Sequence, residues 1–144
     1  MSKPQLISFE PATGAEIWRG KHGNVDEIVD RARRAWPTWA AQPLATRMEL
    51  VRRFANEVRK DAEKLATMIA RETGKPLWEA RTEVESVVNK VEISIRAYAE
   101  RTSQRKLDNA LQGTASLRHK PHGVMAVLGP YNFPAHLPNG HIIP

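Results

Sequence analysis

The sequence predicts an α/β protein, and three observations carry that prediction. An alternating opening segment is broken by Pro and Gly, as in a hairpin. Apolar residues then recur at helical spacing from about residue 24 to residue 104. Finally, Val124 to Leu128 is a continuous apolar run with Gly123 before it and Gly129 after it. A run of that kind suits a strand buried on both faces of a parallel sheet.

Each element has its own justification. Leu6, Ile7 and Phe9 precede Pro11-Ala12-Thr13-Gly14, and Glu16, Ile17 and Trp18 follow, so residues 1–20 read as a short hairpin. Asn24 is a good N-cap, and Glu27 three positions on completes a capping-box-like pair. Ile28, Val29, Ala32, Ala35, Trp36 and Trp39 keep the helical period, with a break expected near Pro37. A second helix opens after Pro43, with Leu44, Met48, Val51, Phe54 and Val58 on one stripe. A third runs from about Asp61 to Thr73, with Leu65, Met68 and Ile69 inward. Gly74 then fits the residue just past a helix, and Pro76 the first turn of the next. The fourth helix is the longest: Ala80, Val84, Val87, Val88, Val91, Ile95 and Tyr98 hold the period almost to Arg101. These stripes read as helix–helix core.

The character of the sequence changes after Lys106. Leu107 to Gly113 reads as a polar loop, Ala115 to Lys120 (within residues 114–121) as an extended strand, and Pro121-His122-Gly123 as a turn. Residues 124–144 then hold the apolar strand and the loop Gly129-Pro130-Tyr131-Asn132-Phe133-Pro134. Ligands of open α/β sheets bind at the carboxyl ends of such strands. A strand buried on both faces needs sheet neighbours, so further polypeptide is expected to complete the fold.

Composition narrows the function. The chain has 144 residues, a length that suits one domain. It has no cysteine, which excludes disulfides, thiolate metal sites and a cysteine nucleophile within these residues. The net charge is +6, yet Arg31, Arg33 and Arg34 sit beside Asp26, Glu27 and Asp30, and Arg52, Arg53, Arg59 and Lys60 beside Glu49, Glu57, Asp61 and Glu63. Mixed signs at helical spacing mark solvated helix faces, so no nucleic-acid partner is expected. The longest aliphatic run is far short of the roughly 18 residues of a membrane span. The opening Met1-Ser2-Lys3-Pro4-Gln5 has no apolar signal region, so a cytoplasmic location away from membranes is expected. His119, His122, His136 and His141 lack metal-site spacing, and no carboxylate follows Asp108, so no metal is expected. There is no GxGxxG and no P-loop. Of Trp18, Trp36, Trp39 and Trp78, three lie on or near predicted helix faces and read as core or interface packing, while Trp78, just after the Gly74-Lys75-Pro76 break, is left open.

Asn132 has two readings. Flanked by Tyr131 and Phe133, and beyond them by Pro130 and Pro134, it marks a turn. Held by those prolines, its amide is also a rigid donor suited to an oxyanion.

Three segments bear a resemblance that bears on this choice. Gly123-Val124-Met125-Ala126-Val127-Leu128-Gly129-Pro130-Tyr131-Asn132-Phe133-Pro134 resembles the strand and asparagine motif of the aldehyde dehydrogenase superfamily. Arg71-Glu72-Thr73-Gly74-Lys75-Pro76-Leu77-Trp78-Glu79-Ala80 resembles its ETGKP helix junction, and Pro11-Ala12-Thr13-Gly14 its N-terminal NPATG turn. Order and spacing agree across nearly the whole chain. Tyr131, where most of the superfamily has Trp, points with Trp78 and His136-Leu137-Pro138-Asn139-Gly140-His141-Ile142 to one branch, from which Ala135 departs in place of Gly.

The resemblance implies the helical N-terminal part and first strand of a Rossmann-like cofactor domain. It also implies an NAD-dependent enzyme in which a cysteine thiolate attacks an aldehyde and a glutamate activates water. Carried over by position, it assigns Asn132 to the oxyanion, and Leu128, Gly129, Pro130 and Tyr131 to the adenosine half of NAD. The nucleophile, the base and the glycine-rich turn have no counterpart in these residues, so the chain is expected to be the N-terminal part of such an enzyme, inactive alone. The strand at 115–120 resembles an oligomerisation segment, implying a homodimer or larger. The rival reading is a non-catalytic helical remnant that binds a partner.

Overall fold

The computed structural model describes residues 5–102, 105–110 and 113–144. In chain order the elements are β1 (Gln5–Phe9), β2 (Glu16–Lys21), α1 (Val25–Ala40), α2 (Leu44–Lys60), α3 (Ala62–Thr73), α4 (Leu77–Arg101), β3 (Arg105–Ala110), β4 (Gly113–Leu117) and α5 (His136–Ile142). The fold class is α/β, with two antiparallel hairpins, β1–β2 and β3–β4, on either side of the helical stretch in sequence.

The first hairpin pairs Gln5 with Lys21 through Ser8 with Trp18, and slips register between Ser8 and Phe9. Its turn closes where Gly14 adopts φ 71°, a conformation costly for residues with a Cβ. The Glu10 carbonyl accepts the Gly14 N–H at 2.8 Å there. The hairpin is tied to the end of α3 by side chains. Glu72 accepts from Ser8 Oγ at 2.6 Å and from the Trp18 indole, and Arg71 Nε donates to Glu10 at 3.0 Å.

Asn24 caps α1: its side-chain oxygen accepts the Asp26 N–H at 3.1 Å and that of Glu27 at 3.5 Å, and its NH₂ donates to Glu27. The break expected near Pro37 does not occur, and α1 runs on to Ala40. Proline removes one N–H, and the carbonyl it leaves unpaired belongs to the exposed Arg33, where solvent reaches it. The apolar stripe of α1 is not core: the helix buries no residue, and Ile28, Trp36 and Trp39 stay exposed.

The core lies between α2, α3 and α4. Ala66 and Ile69 of α3 meet Ala80 and Val84 of α4, and Ala55 of α2 meets Val88 and Val91. Alanines at the crossings let the helix axes approach, and the valines of α4 fill the space between. Gly74 ends α3 at φ 75°, with its N–H on the Ala70 carbonyl at 2.9 Å.

Four expectations for the remainder are corrected. Residues 107–110, expected within a polar loop, belong to β3, whose backbone pairs Arg105 with Leu117 and Leu107 with Ala115. Ladder bonds are made by backbone, so a polar strand can pair where its neighbour lies alongside. Correspondingly, β4 ends at Leu117 and not at Lys120. Val124 to Leu128 forms no strand, and Met125 and Leu128 are exposed. Both sheets among the described residues are two-stranded hairpins, and this segment pairs with neither. In turn, residues 136–142, expected as part of the loop, form α5. Pro138 lies in its first turn, where no N–H is required. Among the described residues no helix is long and apolar enough to cross a membrane.

Candidate active site

The loop from Gly129 to Ala135 leaves the 124–128 segment and enters α5. It is clamped at both ends. At the start, a Cβ on Gly129 would lie 2.9 Å from Pro138 Cγ, so only glycine lets the loop pass this close to α5. We expect Gly129→Ala to push loop and helix apart. In the intact protein this change should lower the thermal midpoint by several degrees, the shift that about 1–3 kcal/mol of overpacking produces. An unchanged midpoint in a melting experiment would show that the two segments do not touch.

At the other end stands Glu83. It lies on the inward stripe of α4 between Ala80 and Val87, and its side chain is 0% exposed. One carboxylate oxygen accepts the Ala135 N–H at 2.9 Å and the His136 N–H at 3.1 Å. The other accepts the Lys75 ammonium at 2.7 Å. α5 has no capping side chain of its own, so a carboxylate from a distant helix satisfies its first amides. Burial by itself pushes the Glu83 carboxyl up. The Lys75 ammonium and the two amides outweigh it and hold the group below the usual glutamate range. Lys75, itself only 8% exposed, lies 4.2 Å above the Phe133 ring. Asn139, buried in α5, donates to the Val87 carbonyl at 3.1 Å.

Between these clamps Pro130, Tyr131 and Asn132 are exposed, while the Phe133 ring packs against Lys75. Leu128 is 94% and Tyr131 86% exposed, and Gly129, Pro130 and Asn132 are exposed beside them. The five residues singled out from sequence thus share one open strip. Among the described residues Asn132 makes no side-chain hydrogen bond, so its NH₂ is available to an external acceptor. The strip fits one wall of a nucleotide site: Leu128 and Pro130 offer apolar surface to a base or ribose. Phosphate groups find no basic side chain among these residues.

Lys75, Glu83 and Asn139 were not singled out from sequence. The signal for Glu83 was a lone carboxylate on an otherwise apolar stripe, where an unpaired charge would be costly. Its partners lie 8 and more than 50 positions away, beyond any local pattern.

The chain belongs to the aldehyde dehydrogenase family, whose sequence profile matches residues 2–144. Over all 144 residues it is 83% identical to the N-succinylglutamate 5-semialdehyde dehydrogenase of Novosphingobium aromaticivorans, and it spans 31% of that relative's length. Among solved structures it resembles an aldehyde dehydrogenase from Brucella melitensis biovar abortus 2308, with a TM-score of 0.85 and 27% identity over 94% of this chain and 29% of that one. At 22% identity it shares its fold, with a TM-score of 0.84, with the NADP-dependent glyceraldehyde-3-phosphate dehydrogenase of Bacillus halodurans C-125. That structure is complexed with NADP, and the match covers 94% of this chain and 30% of that one. Members of the family are oxidoreductases that use NAD or NADP.

Proposed function

We propose that these residues form the N-terminal part of an NAD-dependent aldehyde dehydrogenase that oxidises N-succinyl-L-glutamate 5-semialdehyde to N-succinylglutamate, a step of arginine catabolism in the cytoplasm. The observation that carries this is the 83% identity, sustained over every residue of the chain, to a dehydrogenase named for that substrate. Within it, the exposed Asn132 NH₂ donates to the oxygen of the aldehyde as negative charge develops there. The clamped loop holds that donor still, so little reorganisation is needed during reaction. Leu128, Gly129, Pro130 and Tyr131 line the adenosine side of the cofactor. NAD, when bound, supplies the hydride acceptor. The chain holds no cysteine, so the thiolate nucleophile comes from outside these residues. The β3–β4 hairpin has strand edges free for pairing, which supports assembly as a homodimer or larger.

The test is a spectrophotometric assay of nicotinamide reduction by the full-length protein. We expect a kcat/KM for N-succinylglutamate 5-semialdehyde at least about tenfold above those for simple aliphatic aldehydes, as one well-matched polar group at the substrate tail provides. Turnover of other aldehydes without this preference would remove the substrate assignment and keep the dehydrogenase. No turnover of any aldehyde would remove both.

A further inference from the structure

We infer that Glu83 is a positioning residue, which fixes the direction of the Asn132 amide by holding the next turn of chain. The inference rests on the assignment of Asn132 to the oxyanion made above.

Only Phe133 and Pro134 separate Asn132 from the Ala135 amide that Glu83 holds. Neither is free to absorb a displacement. The proline ring fixes its own φ and restricts the residue before it, and the Phe133 ring lies under Lys75 Nζ. Lys75 and the loop amides converge on one carboxylate, so the ring and the start of α5 are set by the same group. Asn139 on the Val87 carbonyl and Pro138 against Gly129 close the other side. A buried carboxylate is a costly way to join two segments, and an apolar side chain would fill the same volume. What it adds is direction: charge-assisted hydrogen bonds fix the amides of residues 135 and 136 relative to α4. An error of about 1 Å at a reacting group costs on the order of 10²-fold in rate.

The experiment compares Glu83→Asp with wild type in the full-length enzyme. It reads kcat, KM for NAD, the melting temperature and hydrogen exchange at the Ala135 and His136 amides. Aspartate keeps the charge beside Lys75 but is one methylene shorter, so it neutralises the ammonium without reaching both amides. The expected result is a kcat lowered about tenfold or more, with KM for NAD unchanged and exchange at both amides faster. Wild-type kcat and wild-type exchange in Glu83→Asp would overturn the inference, since charge neutralisation alone would then account for Glu83. Where Glu83→Asp does not fold, Lys75→Met with Glu83→Leu leaves neither a buried charge nor an acceptor for the two amides, and the same readouts carry the same two outcomes. If Asn132→Ala is silent while exchange in Glu83→Asp is raised, the oxyanion assignment falls and the hold of Glu83 on the loop stands.

Discussion

Replacing Asn132 with Ala in the full-length enzyme lowers kcat by about 10²–10³-fold, the loss measured when one preorganised oxyanion donor is removed elsewhere. KM for NAD stays within about twofold, because an interaction made only in the transition state leaves ground-state binding alone. The structure gives both expectations a basis. The side chain is exposed, so its removal leaves no cavity, and it makes no hydrogen bond among the described residues, so nothing within the fold depends on it. A fall in kcat with an unchanged melting temperature therefore reports chemistry and not unfolding. Steady-state kinetics and a thermal melt on the same preparation make the measurement, and an unchanged kcat would return Asn132 to the role of a turn residue.

Lys75→Met should have the largest effect on stability. Breaking a buried ion pair by removing one partner costs about 3–5 kcal/mol, because the remaining charge is left without compensation. Here that charge is Glu83, with two backbone amides as its remaining partners. The contact of Lys75 with the Phe133 ring is lost as well. Glu79, 3.8 Å from the ammonium, loses the same partner and is a second negative charge beside Glu83.

The pH dependence distinguishes this explanation from simple loss of packing. The folded Glu83 carboxyl lies below its ordinary value of 4.5. Its contribution to wild-type stability is therefore complete above that value and is lost as pH falls through the lower folded one. In Lys75→Met burial still pushes Glu83 up and the lowering by Lys75 is gone, so its carboxyl takes a proton at higher pH than in the wild type. Acid then weakens the wild type more than the variant, and the gap in unfolding free energy should narrow as pH falls below about 5. Urea unfolding at a series of pH values reads this directly. A gap that stays constant with pH would mean that Glu83 does not sense Lys75.

The same pair shows where local pattern stops. The periodicity of α2, α3 and α4 was legible because each helix has one apolar stripe and each stripe meets another. Asn24 and Gly74 were legible because caps act within four residues, whereas Pro76, expected in the first turn of α4, is the residue before it. Of the site, the loop and Asn132 could be singled out from proline placement and from family resemblance. Glu83 could not, although its position on an apolar stripe marks it as unusual. The hairpin strand β3 was missed because its sequence is polar and its pairing comes from a neighbour. Val124–Leu128 shows the converse, an apolar run with strong strand character that forms no ladder without a partner.

By itself, then, the sequence determined what rests on nearest neighbours along the chain: helix periods, caps, turns and the rigid surroundings of Asn132. These depend on φ/ψ preferences and on side chains three or four positions apart. Only the tertiary structure decided which stripe is buried, which polar residues pair and what holds the asparagine loop. α1 has an apolar stripe and buries nothing, whereas Glu83 is charged and fully enclosed. Burial depends on what lies across the interface, and a carboxylate becomes tolerable there only when Lys75 and two amides from residues more than 50 positions away converge on it.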